Sequence, residues 1–146
     1  QTKKKFKIIT ALSVFYDAES PKEFLSDVKK LLLPDGIFLL EFADLASILK
    51  FKMFDTICHE HLEYYSSKII INIMKKHNLK VFDLKSNDIN GGSMRYFISH
   101  ELSQFKSNTS SFNGLLIEID LIINLSNSLA SIESLLIRGT IFISLK

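Results

Sequence analysis

The sequence predicts an α/β fold, part of a doubly wound sheet with antiparallel last strands and a C-terminal helical segment. Three observations point to it. Residues 6–14 form an almost unbroken apolar run, the pattern of a strand covered on both faces in a parallel sheet. A helix-start signature and a helical stripe follow, and a second apolar run at residues 37–42 completes a strand, helix, strand unit of the length a parallel crossover needs. Two further apolar runs, 79–84 and 94–99, flank a polar stretch rich in turn residues, which predicts an antiparallel pair.

Each element has its own local cause. Ser20 is placed to cap a helix, Pro21 suits its first turn, and Glu23 can reach back to complete a capping box. Phe24, Leu25, Val28, Leu31 and Leu32 then recur at helical spacing and mark one buried face. Pro34, Asp35 and Gly36 stop that helix and turn the chain into the second strand. Residues 43–65 carry no regular period. Ser66 is placed to cap a second helix reaching about His77, with Ile70, Ile73, Met74 and His77 on one side and Asn78 as its terminator. The turn at 86–93 contains Asn90, Gly91 and Gly92. Residues 101–111 are polar and loop-like, and 115–137 are read as helical. Phe42, Phe51 and Phe54 are expected in the core, and His77 and His100, near element ends, are expected to be structural.

With 146 residues, 47% hydrophobic and 23% charged, the chain can build one compact core. Its 18 Lys and Arg against 16 Asp and Glu leave no extended basic surface, so no nucleic-acid partner is expected. The longest apolar stretch, 115–125, is broken by Glu118 and Asp120 and falls short of the roughly 20 residues a bilayer span requires, so no membrane partner is expected. The apolar run after the N-terminal lysines meets Tyr16, Asp17 and Glu19 without a small-residue cleavage site and reads as a strand, not a signal peptide. The single cysteine, Cys58, excludes an internal disulfide and fits a reducing, cytoplasmic setting.

Residues 55–65 hold two imidazoles, three carboxylates, a thiol and two phenols. Such a density of titratable groups reads either as a functional site or as a solvated loop, because each group that is buried needs a partner. A metal centre is one rival, but His59 and His61 stand two apart, whereas the helical zinc patterns need four, and no metal is expected. A cysteine nucleophile is another rival. Cys58 is adjacent to His59 in sequence, while a nucleophile and its base usually come from distant segments.

Taken together, residues 9–17 with Ser20 and Pro21, 33–36, 54–66 and 90–95 resemble the sugar C-methyltransferases, which methylate a carbon of a nucleotide-linked deoxyhexose. The likeness spans roughly residues 8–100 in order, and the 55–65 block carries most of its specificity. The resemblance implies a Rossmann-like class I methyltransferase sheet, S-adenosylmethionine as cofactor and a nucleotide-linked keto-sugar as substrate partner. It also implies that Glu60 and His61 are the catalytic pair, with His59 beside them as a further candidate. Where some members have a tyrosine two residues before that glutamate, this chain has Cys58, so Cys58, Tyr64 and Tyr65 are the candidates for substrate contact.

Asn90, Gly91, Gly92, Ser93 and Arg95 form the second candidate segment. Two glycines permit positive backbone angles and close approach of a ligand to main-chain amides, and Arg95 can pair with a diphosphate. A plain hairpin turn explains the same residues. Ser13, Phe15 and Tyr16 close the first strand at the edge where open parallel sheets bind ligands, and are the candidates for cofactor contact.

A class I methyltransferase grips its cofactor with a glycine-rich turn after its first strand, and no such segment precedes Phe6. The resemblance therefore implies that residues 1–100 are the second half of the methyltransferase domain and 101–146 the start of a C-terminal domain. On that expectation the chain alone is inactive and binds the cofactor weakly, and the strand at 6–14 is a sheet edge that favours self-association. Two other functions remain open at this stage: transfer to an oxygen or nitrogen acceptor, and a binding module without catalysis.

Overall fold

The computed structural model describes residues 4–108 and Phe112. Four strands form one sheet: β1 (Phe6–Leu12), β2 (Leu32–Ala43), β3 (Leu79–Asn87) and β4 (Ser93–His100), in the spatial order β1-β2-β4-β3. Helix α1 (Pro21–Leu31) joins β1 to β2, and α2 (Leu45–Phe51) and α3 (Ser67–Lys76) lie between β2 and β3. β1 and β2 are parallel, as expected for a crossover unit, and β4 is antiparallel to both β2 and β3. Thus β3 runs in the same direction as β1 and β2, and β4 alone is reversed.

Ser20 caps the helix: the Glu23 amide donates to Ser20 Oγ at 3.3 Å, and Pro21 opens the helix. Leu25 and Val28 are the face that α1 buries. Pro34, Asp35 and Gly36 do not precede β2 but sit inside it. Phe6 pairs with Leu32 and Ile8 with Ile37, so the extra residues bulge out of the ladder. Lys7 and Asp35 form an ion pair beside that bulge, and the ammonium holds the Asp35 carboxyl below its usual range. At α3, Ser66 takes the cap position without a side-chain hydrogen bond, contrary to the sequence expectation. Asn78 ends the helix in the left-handed region, with φ at 56°.

Rows of opposed residues build the core across the sheet. Phe38, Ile98 and Val81 share one row and Leu40, Tyr96 and Leu84 the next, while Phe42 pairs with Met94. All eight are buried, and Leu25 and Val28 from α1 and Ile70 and Met74 from α3 complete the same cluster. One face of the sheet thus carries the core. β1 is a correction: Ile8 is 64% and Leu12 53% exposed, because the strand is the sheet's edge and packs on one side only. Phe51 and Phe54, expected in the core, are also exposed. The expected helix at 115–137 and the domain start at 101–146 lie outside the described residues, except for 101–108 and Phe112.

Candidate functional site

Residues 43–65, which show no period in the sequence, are anchored near both ends by one carboxylate. Asp44 caps α2 by accepting from the Ala46 amide at 3.0 Å, and its other oxygen meets Ser67 Oγ at 3.3 Å and the Tyr96 hydroxyl at 3.4 Å. Ser67 Oγ and Tyr96 Oη are 2.8 Å apart. Burial raises the Asp44 pKa above its usual value, and burial together with the Asp44 charge pushes Tyr96 well up. The network ties the end of β2, the starts of α2 and α3, and β4 to one point. Sequence reasoning missed it, although an aspartate directly before a short apolar stretch is a recognisable cap.

From α2 the chain passes Lys52 in the left-handed region and a single 3-10 turn at Phe54–Thr56, then reaches the cluster of titratable groups. The His61 amide donates to the Cys58 carbonyl at 3.3 Å, so residues 58–61 form a tight turn with His59 and Glu60 at its corner. His59 and Glu60 stand in solvent, with side chains 92% and 76% exposed and 4.0 Å between Nε2 and Oε1. His61 is different. Its ring lies 4.2 Å from that of Tyr16, centroid to centroid, at an interplanar angle of 52°. The Tyr16 carbonyl accepts from the amides of Leu62 at 3.1 Å and Glu63 at 3.2 Å. Tyr64 flanks the imidazole at 6.2 Å, and its hydroxyl accepts from the Cys58 amide at 3.3 Å and donates to the Thr56 carbonyl at 3.4 Å. Cys58 is exposed.

The structure therefore brings together Tyr16, Cys58, His61 and Tyr64, drawn from three separate candidate sets. It separates others from them. Tyr65 is buried against Phe15 and Phe42, with ring centroids 5.3 and 6.0 Å away, and burial raises its hydroxyl to about 12. Phe15 is fully enclosed and packs on Phe24, Phe42 and Tyr65. The side chains of Tyr65 and Phe15 thus pack into the core, away from the exposed turn at 58–61. Ser13 is half-buried just beyond the end of β1, with φ at 53° and its amide donating to the Glu41 carbonyl at 2.8 Å. A left-handed serine at a strand's carboxyl end is a constrained position of the kind found at functional sites.

The glycine segment has a packing explanation. A Cβ on Gly92 would stand 2.9 Å from Ser47 Cβ, and one on Gly91 would stand 2.9 Å from Met53 Cε, so the two glycines let α2 and the residue pair after it approach the turn closely. Asn90, at φ 52°, and Gly91, at φ 78°, make the turn itself, and Ser93 Oγ donates to the Ile89 carbonyl at 2.9 Å. Arg95 pairs with Glu41 through Nε, so part of its hydrogen-bonding capacity is spent across the sheet. Glu41 was not singled out in the sequence because it lies within an apolar run.

Among the described residues, no group of three or more His, Cys, Asp or Glu is placed to hold a metal ion, and no helix is long and apolar enough to cross a membrane. Residues 1–84 match the family model of the methyltransferase domain. A C-methyltransferase of Streptomyces niveus, NovU, is 41% identical over 75 residues, which are 51% of this chain and 18% of that protein. The chain thus spans less than a fifth of that relative's length. Among solved structures, an S-adenosylmethionine-dependent methyltransferase from Thermotoga maritima is similar with a TM-score of 0.54 at 11% identity, covering 69% of this chain and 59% of that one. Magnesium protoporphyrin IX methyltransferase from Synechocystis, with bound S-adenosylhomocysteine, gives 0.50 at 15% identity, covering 68% and 47%. At such identities these two likenesses concern the fold alone, and the fold is the Rossmann-like sheet of the methyltransferases.

Proposed function

Since this chain belongs to the methyltransferase-domain family, we propose that it takes part in transferring a methyl group from S-adenosylmethionine to a carbon of a nucleotide-linked keto-deoxysugar. The observation that carries the reading is the seating of His61 on Tyr16, just beyond the carboxyl end of β1. Ligands of open parallel sheets bind at that edge, so a base from the 58–65 loop meets the place where a methyl donor would lie. The likeness to a C-methyltransferase supports carbon as the acceptor.

The residues at the edge suit part of such a cofactor. Ser13 offers a hydroxyl from a half-buried, left-handed position, and Tyr16 offers an aromatic surface beside it, while Phe15 is closed off. Bound S-adenosylmethionine supplies an already electrophilic methyl carbon. The task left to the protein is to make the acceptor carbon nucleophilic. His61 takes the proton from the carbon next to the ketone, and the electron pair of that C–H bond passes into an enolate. Imidazole suits this work because its ordinary pKa lies near neutrality. Glu60, at the corner of the same turn, is exposed to an incoming sugar. Tyr64 holds the loop by its two hydrogen bonds to Cys58 and Thr56, and desolvation raises its hydroxyl above the usual value, so it remains a neutral donor and acceptor. The single cysteine supports a cytoplasmic setting for this reaction in deoxysugar biosynthesis.

The test is methyl transfer by the full-length protein that carries this sequence. With methyl-labelled S-adenosylmethionine and a panel of nucleotide-linked keto-deoxyhexoses, the label is expected on carbon, read as a new C–CH3 signal by NMR. Label on oxygen or nitrogen would replace the reading with that of another methyltransferase. No transfer to any keto sugar, with the cofactor bound, would end it.

A further inference from the structure

We infer that Tyr16 is the positioning residue for His61, holding the imidazole through its ring and holding the following chain through its main-chain oxygen. This rests on the reading of His61 as the base and deepens it. The sequence suggests only a cofactor contact for Tyr16.

Three contacts converge on this residue. Its carbonyl oxygen accepts two amides, those of Leu62 and Glu63, so the chain immediately after His61 is pinned to the chain that follows β1. The Tyr16 ring faces the imidazole at 4.2 Å. That ring is itself set edge-on against Phe42 at 6.2 Å, and Phe42 is buried in the core. A line of contact therefore runs from the packed interior through Tyr16 to His61. Tyr64 cannot replace it, because its hydroxyl bonds are to Cys58 and Thr56 of the same loop and move with that loop.

His59 shows what the alternative looks like. Two residues away and chemically identical, it is 92% exposed, with the neighbouring Glu60 4.0 Å from its Nε2. A base must stand within hydrogen-bond reach of the proton it removes, and an imidazole free to turn about two torsions meets that condition only part of the time. His61 is the imidazole of the turn whose torsions are restrained by a ring anchored in the core. The arrangement also fixes the base relative to the edge at which the methyl donor is expected, since Tyr16 belongs to that edge.

Substitution separates the ring from the carbonyl, because Tyr16→Leu removes the first and keeps the second, leaving the Leu62 and Glu63 bonds available. In the full-length protein, Tyr16→Phe is expected to stay within about threefold of the parent, since the ring remains. Tyr16→Leu is expected to lower kcat and the solvent exchange of the sugar's acidic proton together, by about tenfold to a hundredfold, a larger change than any in KM for S-adenosylmethionine. Raised KM for the cofactor with kcat kept would overturn the inference and make Tyr16 a cofactor contact alone. An equal loss in the Phe variant would overturn it too, because the hydroxyl and not the ring would then matter. Should Tyr16→Leu fail to fold, the unaltered protein still decides: NMR is expected to show a nuclear Overhauser contact between the His61 and Tyr16 ring protons, and its absence overturns the placement. That contact, found in a protein that neither exchanges the proton nor methylates a keto sugar, would sink the proposed function while leaving the placement of His61 upheld.

Discussion

Glu41 and Arg95 face each other across β2 and β4 and form an ion pair, with the carboxylate only 7% exposed and the guanidinium side chain 38% exposed. Lys85 stands opposite Arg95 on the next strand, so three charges lie in one row across β2, β4 and β3. Removing one partner of a withdrawn pair costs more than removing both, because the survivor keeps its desolvation without its counter-charge. Arg95→Leu is expected to destabilise the fold by about 2 kcal/mol, below the ~3–5 of a fully buried pair because Arg95 is partly wet. The double variant with Glu41→Leu should recover at least half of that loss. Urea unfolding measures both, and an Arg95→Leu protein of parental stability would return the guanidinium to the list of ligand contacts.

Asp44 gives the fold a pH dependence of definite sign. Its folded pKa is raised above the ordinary 3.8 by burial, so the native state holds the proton more tightly than the unfolded chain. Stability from this group is complete below 3.8 and is lost as pH rises through the raised value. Asp44→Asn keeps a capping oxygen for Ala46 and removes the charge. The variant should therefore show a flatter stability profile as pH rises above 3.8, with the gain over the parent growing as the parent's carboxyl loses its proton. Thermal unfolding across that window tests it, and parallel profiles for the two proteins would mean that Asp44 is not the group responsible.

Gly91 and Gly92 distinguish a packing turn from a ligand cradle. Gly92 has φ at 140° and its Cβ position meets Ser47, part of α2. Gly91 meets only the end of the Met53 side chain, which can swing aside. Gly92→Ala should thus cost the more of the two, about 2–3 kcal/mol from strain and overlap together, against about 1 for Gly91→Ala. Chemical denaturation of both variants gives the ranking. Unchanged stability at Gly92 with weakened sugar binding would favour the cradle.

The parts of the fold that were legible in the sequence are those in which local chemistry and tertiary packing agree. Ser20, Pro21 and the stripe at Leu25 and Val28 define α1 by themselves, and the apolar runs at 37–42, 79–84 and 94–99 all lie within strands. The bulge at Pro34–Gly36 was read as a boundary because proline and glycine ordinarily end an element, whereas here β1 continues its pairing past them. α2 escaped because it is only 7 residues long and its order comes from Asp44, whose partners Ser67 and Tyr96 lie 23 and 52 residues further on. In the site, the sequence could name the residues of 55–65 but not sort them. Sorting His61 from His59, or Tyr64 from Tyr65, depends on Tyr16 and Phe15, which lie 45 and 50 residues away in sequence, distances no local pattern spans.

That sorting leads to a kinetic ranking of the turn. His61 is held against Tyr16, while His59 and Glu60 stand in solvent at the corner and Cys58 bonds to Tyr64 only through its main-chain amide. In the full-length protein, His61→Ala is expected to lower turnover by about 10² to 10⁴ with cofactor affinity nearly unchanged, as for loss of a general base. His59→Ala should cost less than tenfold, since that ring stands in solvent. Glu60→Gln should fall between the two if the exposed carboxylate meets the sugar. Cys58→Ser leaves the amide that Tyr64 receives and should be tolerated. Single-turnover methyl transfer, run beside solvent exchange of the sugar's acidic proton, separates the chemical step from binding. Exchange at the parental rate in the His61 variant would assign proton removal elsewhere, first to Tyr64 at 6.2 Å from that ring; a larger loss at His59 than at His61 would mean that the turn rearranges when the sugar binds.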